Sequence, residues 1–162
     1  MRAKIKKLIE KGFFHIFGAN VVNKLIGFAS SIVLVRILSK EEFGLFSYAQ
    51  NILMLFILFN SLGVTAGMLQ YGSESLNNSK RKNAYFKYGL KVGLIFNLIV
   101  CSLLLLYGVY GQMQIEPARI ILICMFMLPL FMFLFEWIQI YFRASLMNKQ
   151  FSLLSNINTL AV

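Results

Sequence analysis

Residues 120–142 read IILICMFMLPLFMFLFEWIQIYF, 23 residues with one charged side chain, Glu136, and one proline, Pro129. At about 1.5 Å per residue a helix of this length reaches about 35 Å, enough to cross a hydrocarbon core of roughly 30 Å with some tilt. Its apolar residues do not alternate with polar ones, so it does not read as a barrel strand. Three further stretches have the same character: Phe13–Val35, Phe46–Leu69 and Tyr88–Tyr110, each of 23 or 24 residues. A fifth polar-to-apolar transition begins near Phe151, and Val162 follows about 12 residues on, too few to span. The expected fold is therefore an all-α integral membrane bundle of four transmembrane helices plus an incomplete fifth. The expected layout is a lead-in over 1–12, then a membrane lobe over 13–162 with spans at 13–35, 46–69, 88–110 and 120–142 and a partial helix at 151–162. The residues Asn158-Thr159-Leu160-Ala161-Val162 carry no cap and no charged tail. The chain thus reads as the N-terminal part of a longer protein; the alternative is a complete four-helix protein with a short amphipathic tail.

Composition agrees. The 162 residues are 59% hydrophobic and 14% charged, with a mean hydropathy of +0.72. Soluble domains average about 45–50% and about 25%. So few polar side chains cannot cover so much apolar surface in water, which argues against a soluble enzyme and against disorder.

The net charge of +10 would suggest nucleic acid in a soluble protein. Here the cations cluster at the edges of the apolar runs, where they orient membrane proteins, and no nucleic-acid partner is expected. Arg2, Lys4, Lys6, Lys7 and Lys11 precede the first run. Lys80, Arg81, Lys82, Lys87 and Lys91 stand around the start of the third, and Arg143 and Lys149 follow the fourth. The opposite side has Arg36, Lys40 and Arg119. This asymmetry predicts a cytoplasmic N-terminus, with 37–45 and 111–119 external. The polar stretch Ser73–Lys82 reads as a cytoplasmic loop. The basic N-terminus resembles that of a signal peptide, but the run after it is too long and is interrupted by Asn20, Asn23 and Lys24. Ile5, Leu8, Ile9 and Gly12 share one helical face between lysines, which suits an interfacial lead-in.

The first span carries the main chemical signal. Asn20, Asn23, Lys24, Gly27 and Ser31 follow i, i+3, i+4, i+7, i+11, one face of a helix. Lys24 is the midpoint of Phe13–Val35. A cation there costs about 2.5–3.5 kcal/mol on insertion scales, so it requires a partner or a hydrated cavity. Two arrangements meet that need: a cavity in which Lys24, Asn20, Asn23 and Ser31 bind substrate, or a structural ion pair with Glu136. Glu136 itself either pairs with Arg143, seven residues on, or lines a cavity.

Other features have plain packing explanations. Gly63-x-x-x-Gly67 and Gly89-x-x-x-Gly93 suit close helix approach. Pro129 kinks the fourth span, in a moving helix or a static one. Trp137, Tyr141 and Phe142 read as an interfacial belt. Met125, Met127 and Met132 read as packing filler. Cys101 and Cys124 lie within apolar runs, with no CxxC pair, and His15 is the only histidine, so neither a metal site nor a disulfide framework is expected. There is no Asp and no paired carboxylate set, so no catalytic residue, enzyme activity or cofactor is expected.

The stretch Val35-Arg36-Ile37-Leu38-Ser39-Lys40-Glu41-Glu42-Phe43-Gly44-Leu45-Phe46 resembles the first external loop of the polysaccharide-exporting flippases. These form the lipid-linked oligosaccharide branch of the multidrug/oligosaccharidyl-lipid/polysaccharide exporter superfamily. The carrying residues are Arg36, the acidic pair Glu41 and Glu42, and Gly44 after an aromatic residue; Phe43 stands where Tyr is more usual. Ser61-Leu62-Gly63, Gln70-Tyr71 and Tyr141-Phe142-Arg143-Ala144 match in order, so the resemblance runs from about Gly12 to the end. It implies a MATE-like transporter of a dozen or more helices in two lobes, of which this chain is roughly the first third. It implies a multi-pass protein of the cytoplasmic (inner) membrane. The cargo it implies is undecaprenyl-pyrophosphate-linked oligosaccharide, destined for O-antigen, capsule or a similar polymer. The implied partners are the bilayer, that lipid-linked sugar, a polysaccharide polymerase and other assembly proteins. The alternatives are a peptidoglycan-precursor or multidrug exporter of the same superfamily, or a small four-helix accessory protein of glycolipid assembly.

The loop motif has its own local physics. Ser39 is placed as N-cap of the second helix, and Glu42, three residues on, completes a capping box. Glu41 and Glu42 then fall in the first turn, where negative charge complements the helix dipole.

Overall fold

A computed structural model describes residues 13–76 and 78–161. The lead-in expected over 1–12 lies outside the described residues. Among the described residues the structure is all-helical. It comprises α1 (Phe13–Ile37), α2 (Lys40–Ile57), a 3-10 turn (Asn60–Gly63), α3 (Val64–Glu74), α4 (Ser79–Tyr110), α5 (Ala118–Cys124), α6 (Leu128–Ala144) and α7 (Asn148–Ala161). Four segments are long and apolar enough to cross a membrane: α1, α2 with α3, α4, and α5 with α6.

The helices extend past the apolar limits. The stretch expected to be a loop, Ser73–Lys82, is mostly helix: α3 runs to Glu74 and α4 starts at Ser79. The Asn78 side chain accepts from the backbone N–H of Arg81 at 3.1 Å and caps α4 before its basic residues begin. Lys82 turns inward. Its ammonium donates to Ser145 Oγ at 3.1 Å and lies 5.1 Å from the centre of the Tyr141 ring, tying the start of α4 to the end of α6.

The second and fourth spans are each broken, and the third is not. Pro129 explains the fourth. It has no N–H to give Met125, and its ring crowds that carbonyl. The chain tightens there, Leu128 N–H bonding to Met125 O at 3.0 Å, and α6 restarts with Pro129 in its first turn. In the second span Ser61, Leu62 and Gly63 all take left-handed backbone, at φ 60°, 42° and 79°.

These breaks divide the core. Toward the loops at 37–45 and 111–119, α2 packs on α5 and the end of α4, burying Ala49, Leu53, Leu104, Met113 and Leu122. Toward the other end, α3 packs on α6 and the start of α4, burying Met68, Phe86, Phe133, Trp137 and Ile140. The unbroken 32-residue α4 joins both halves.

Two expectations are corrected by this packing. Gly63 and Gly67 have no neighbour near an added Cβ, and Gly63 instead supplies the left-handed residue that opens α3. Gly89 and Gly93 are the close-approach pair: a Cβ would meet the Trp137 ring at 2.6 Å and the Phe133 ring at 2.2 Å. Trp137 is therefore a core residue rather than part of an interfacial belt, with its ring edge-on to Phe86 and tilted on Phe133.

Candidate functional site

The Ser39 capping box forms as its spacing predicts. Glu42 N–H donates to Ser39 Oγ at 3.2 Å, and Ser39 N–H donates to the Glu42 carboxylate at 2.9 Å. Glu41 shares that first turn, and Arg36 stands in the last turn of α1, where a cation suits the carbonyl end of the helix. Gly44 is exposed, with nothing within 4 Å of an added Cβ. The motif thus makes a tight corner between α1 and α2.

The polar face of α1 is divided by its packing. α1 rests mainly on α7, with Ala19, Asn23 and Ile26 turned to it at i, i+4, i+7. Asn23 donates to Ser155 Oγ at 2.8 Å. Its Oδ1, together with Ser152 Oγ and Asn156 Oδ1, is buried without a partner among the described residues. Ser155 is the partner that the apolar runs do not reveal; Ser152, Ser155, Asn156 and Thr159, at i, i+3, i+4, i+7, mark one face of α7 in the sequence itself.

Asn20, Lys24, Gly27 and Ser31 form the neighbouring stripe and are exposed along it. Ser31 Oγ donates to the Gly27 carbonyl one turn back, at 2.9 Å. The structure does not form the Lys24–Glu136 pair, nor the pair of Glu136 with Arg143. Among the described residues the one ion pair is Arg119–Glu116, at 3.0 Å. Arg143 lies instead over the Phe151 ring, 5.8 Å from its centre. Lys24 therefore stands at the middle of a membrane-length helix, exposed, beside two small polar side chains and a glycine.

Arg119 has a separate, local task. Its guanidinium donates to the carbonyls of Gly108, Val109 and Gly111 at 2.7–3.0 Å, closing the last turn of α4. Its hydrogen bond holds the Glu116 carboxyl below the usual carboxylate value.

A groove of about 360 Å³ lies between the second and third spans, lined by Leu55, Phe56, Phe59, Phe96, Ile99 and neighbours. Its lining is apolar, so it offers nothing to a charged head group. Among the described residues there is no cluster of three or more His, Cys, Asp or Glu side chains.

Comparison with known families finds one match: the profile described as polysaccharide biosynthesis protein aligns with residues 9–162. No curated protein and no solved structure matches significantly.

Proposed function

The chain belongs to the polysaccharide biosynthesis protein family, and we propose that it acts in a membrane transporter that flips lipid-linked oligosaccharides. The cargo in this reading is an undecaprenyl-pyrophosphate-linked repeat unit. It moves from the cytoplasmic to the outer leaflet of the cytoplasmic membrane, for O-antigen, capsule or a similar polymer. The chain supplies the first four spans and the start of a fifth in a two-lobed, MATE-like transporter with a cytoplasmic N-terminus. It works beside the polymerase that consumes the flipped unit, and no chemical bond is made or broken.

The observation that carries this reading is Lys24, exposed at mid-span with no carboxylate paired to it among the described residues. A cation at that depth is tolerated when it faces a wet cavity or an anionic ligand. A pyrophosphate crossing hydrocarbon has the complementary need for a positive, hydrated path. Lys24 supplies the charge, a compact ammonium suited to phosphate. Asn20 and Ser31 line the same stripe and offer hydrogen bonds to the head group and its water. Asn23 braces the stripe by fixing α1 to α7.

The test is reconstitution of the whole protein that contains this chain. Proteoliposomes are loaded with a fluorescent undecaprenyl-pyrophosphate oligosaccharide, and head groups exposed outside are bleached by an impermeant reductant. Flipping predicts bleaching of nearly all the label with the protein and about half without it. Equal bleaching in both contradicts the proposal.

A further inference from the structure

α4 carries polar side chains on two faces. Its inward face holds Asn97, fully buried, whose amide donates to the Gly93 carbonyl at 2.9 Å and to Ser61 Oγ at 3.4 Å across the break in the second span. The cations at its start divide in a different way. Lys82 turns inward to Ser145 and Tyr141. Arg81 lies along its own helix: its Nε donates to the Tyr85 hydroxyl at 3.0 Å, and its guanidinium sits 5.5 Å from the centre of that ring. Lys80, Lys87 and Lys91 follow i, i+7, i+11, which places them on one outer face, and all three are exposed. Tyr88, 70% exposed, stands beside the last two.

Nothing in the surrounding chain balances that outer face. No Asp or Glu occurs among residues 75–115. Of the two carboxylates that flank this stretch, Glu116 is held by Arg119, and Glu74 accepts from Gln70 one turn back on α3. Lys87 and Lys91 are like charges one turn apart, an arrangement that weakens an isolated helix. Helix stability therefore does not account for the pair, and neither does an ion pair among the described residues. The orientation rule counts cations at the end of a span and is indifferent to the face they occupy. The pair calls for an anion from outside the chain.

The rest of the face identifies its surroundings. Beyond Lys91 it continues through Ile95 and Leu98, 62% and 50% exposed. Ser102 follows on the same face, and its hydroxyl donates to the Leu98 carbonyl at 2.8 Å, inside its own helix. A polar group met in that way suits hydrocarbon, which offers no partners. The face thus runs from cations to apolar side chains, the order in which a bilayer presents head groups and chains. Lys91 stands three residues into the apolar run that begins at Tyr88. Helical side chains lean toward the N-terminus of their helix, so its ammonium reaches back to the level of Lys87. We propose that Lys87, Lys91 and Tyr88 bind the head group of an anionic phospholipid, whose chains lie along Ile95 and Leu98. The lipid phosphate accepts from both ammonium groups, and Lys80, about 10 Å farther out along the axis, adds to the attraction. Depth selects lipid: a soluble acidic protein or a nucleic acid does not reach side chains at the edge of the apolar run. The lipid is a resident of the protein's surface and not its cargo, so the inference is independent of what the transporter carries.

Thermal unfolding of the whole protein that contains this chain tests the site. The purified protein in detergent micelles is titrated with phosphatidylglycerol, or with phosphatidylethanolamine carrying the same chains, at fixed ionic strength. The site predicts a midpoint that rises saturably with phosphatidylglycerol and not with phosphatidylethanolamine. Lys87→Gln combined with Lys91→Gln weakens half-saturation at least about tenfold, the scale of one lost hydrogen bond between charged groups. Lys149→Gln, which removes an exposed cation from the first turn of α7, leaves the titration unchanged. If the double variant does not fold, Lys91→Gln alone is read the same way. Equal midpoints with the two lipids overturn the proposal, and so does a phosphatidylglycerol response that survives the double variant. An equal loss in Lys149→Gln overturns it as well, since that is general attraction to a basic surface. A rise with undecaprenyl pyrophosphate that depends on Lys87 and Lys91, without one from phosphatidylglycerol, overturns it too and assigns the pair to the cargo.

Discussion

Ser39 shows how a single side chain fixes the corner between the first two spans. Its hydroxyl and the Glu42 carboxylate satisfy two N–H groups that the start of α2 would otherwise leave open. Ser39→Ala should cost about 0.5–2 kcal/mol of stability, measured by denaturant titration in mixed micelles, and Ser39→Asp should recover most of it. An unchanged midpoint for Ser39→Ala would show that the cap is idle. Glu116 gives a pH signature just beyond the last turn of α4. Its carboxyl lies below the ordinary value in the folded chain because Arg119 donates to it. It is therefore charged in both states at neutral pH, and its contribution is fully present above the unfolded-state value. That contribution fades as pH falls through the depressed folded value. Glu116→Gln should remove this acid-range loss while leaving the rest of the pH profile in place. A profile identical to that of the unmodified protein would contradict the pairing.

At the scale of elements, the broken second span is the least expected feature. Leu62 is exposed and left-handed, so Leu62→Gly removes strain at little loss of burial. Left-handed backbone costs an L-residue about 1–2 kcal/mol, and the gain should approach 1 kcal/mol after the added chain entropy of glycine. A destabilised Leu62→Gly protein would mean that the second span is continuous. The four spans and the capping box were legible in the sequence, since length, apolarity and an S-x-x-E spacing are local properties. The break was not. Asn60, Ser61 and Gly63 occur singly in many intact membrane helices, and what opens this one involves Asn97, more than thirty residues away. For the same reason Gly63-x-x-x-Gly67 and Gly89-x-x-x-Gly93 looked alike, though one turns the chain and the other receives aromatic rings. Pro129, by contrast, carries its effect in its own ring and was readable. On α1 the polar stripe was legible as a face, but its division was not. Which residues turn to α7 depends on where α7 packs, and so Asn23 belongs to a helix contact while Lys24 does not.

The whole molecule is a bundle held by two core halves around α4, with α1 and α7 attached as a pair along its side. The seam at Gly93 and Phe133 is tight enough that Gly93→Val should prevent folding, seen as loss of membrane-integrated protein. Phe133→Ala, which only empties space, should cost about 3–5 kcal/mol and leave insertion intact. Equal yields of Gly93→Val and unmodified protein would contradict the packing. The charge asymmetry predicts how the bundle sits in the membrane. Single cysteines at Gln112 or Gln114 should react with an impermeant maleimide from outside, and those at Ser79 or Asn83 only after permeabilisation. The reverse pattern would invert the topology.

The central claim is that α1 presents Lys24 to the anionic head group of the cargo, and polymer export in cells reads it most directly. Export is measured for the whole protein carrying Lys24→Ala, Lys24→Arg or no change, with membrane levels of each quantified in the same cells. The account predicts that Lys24→Ala cuts export at least about tenfold at normal membrane levels, the scale of one lost hydrogen bond to a charged group. Lys24→Arg should retain part of the activity because the charge remains. Normal export by Lys24→Ala, or a loss that only follows a fall in its membrane level, would contradict the claim.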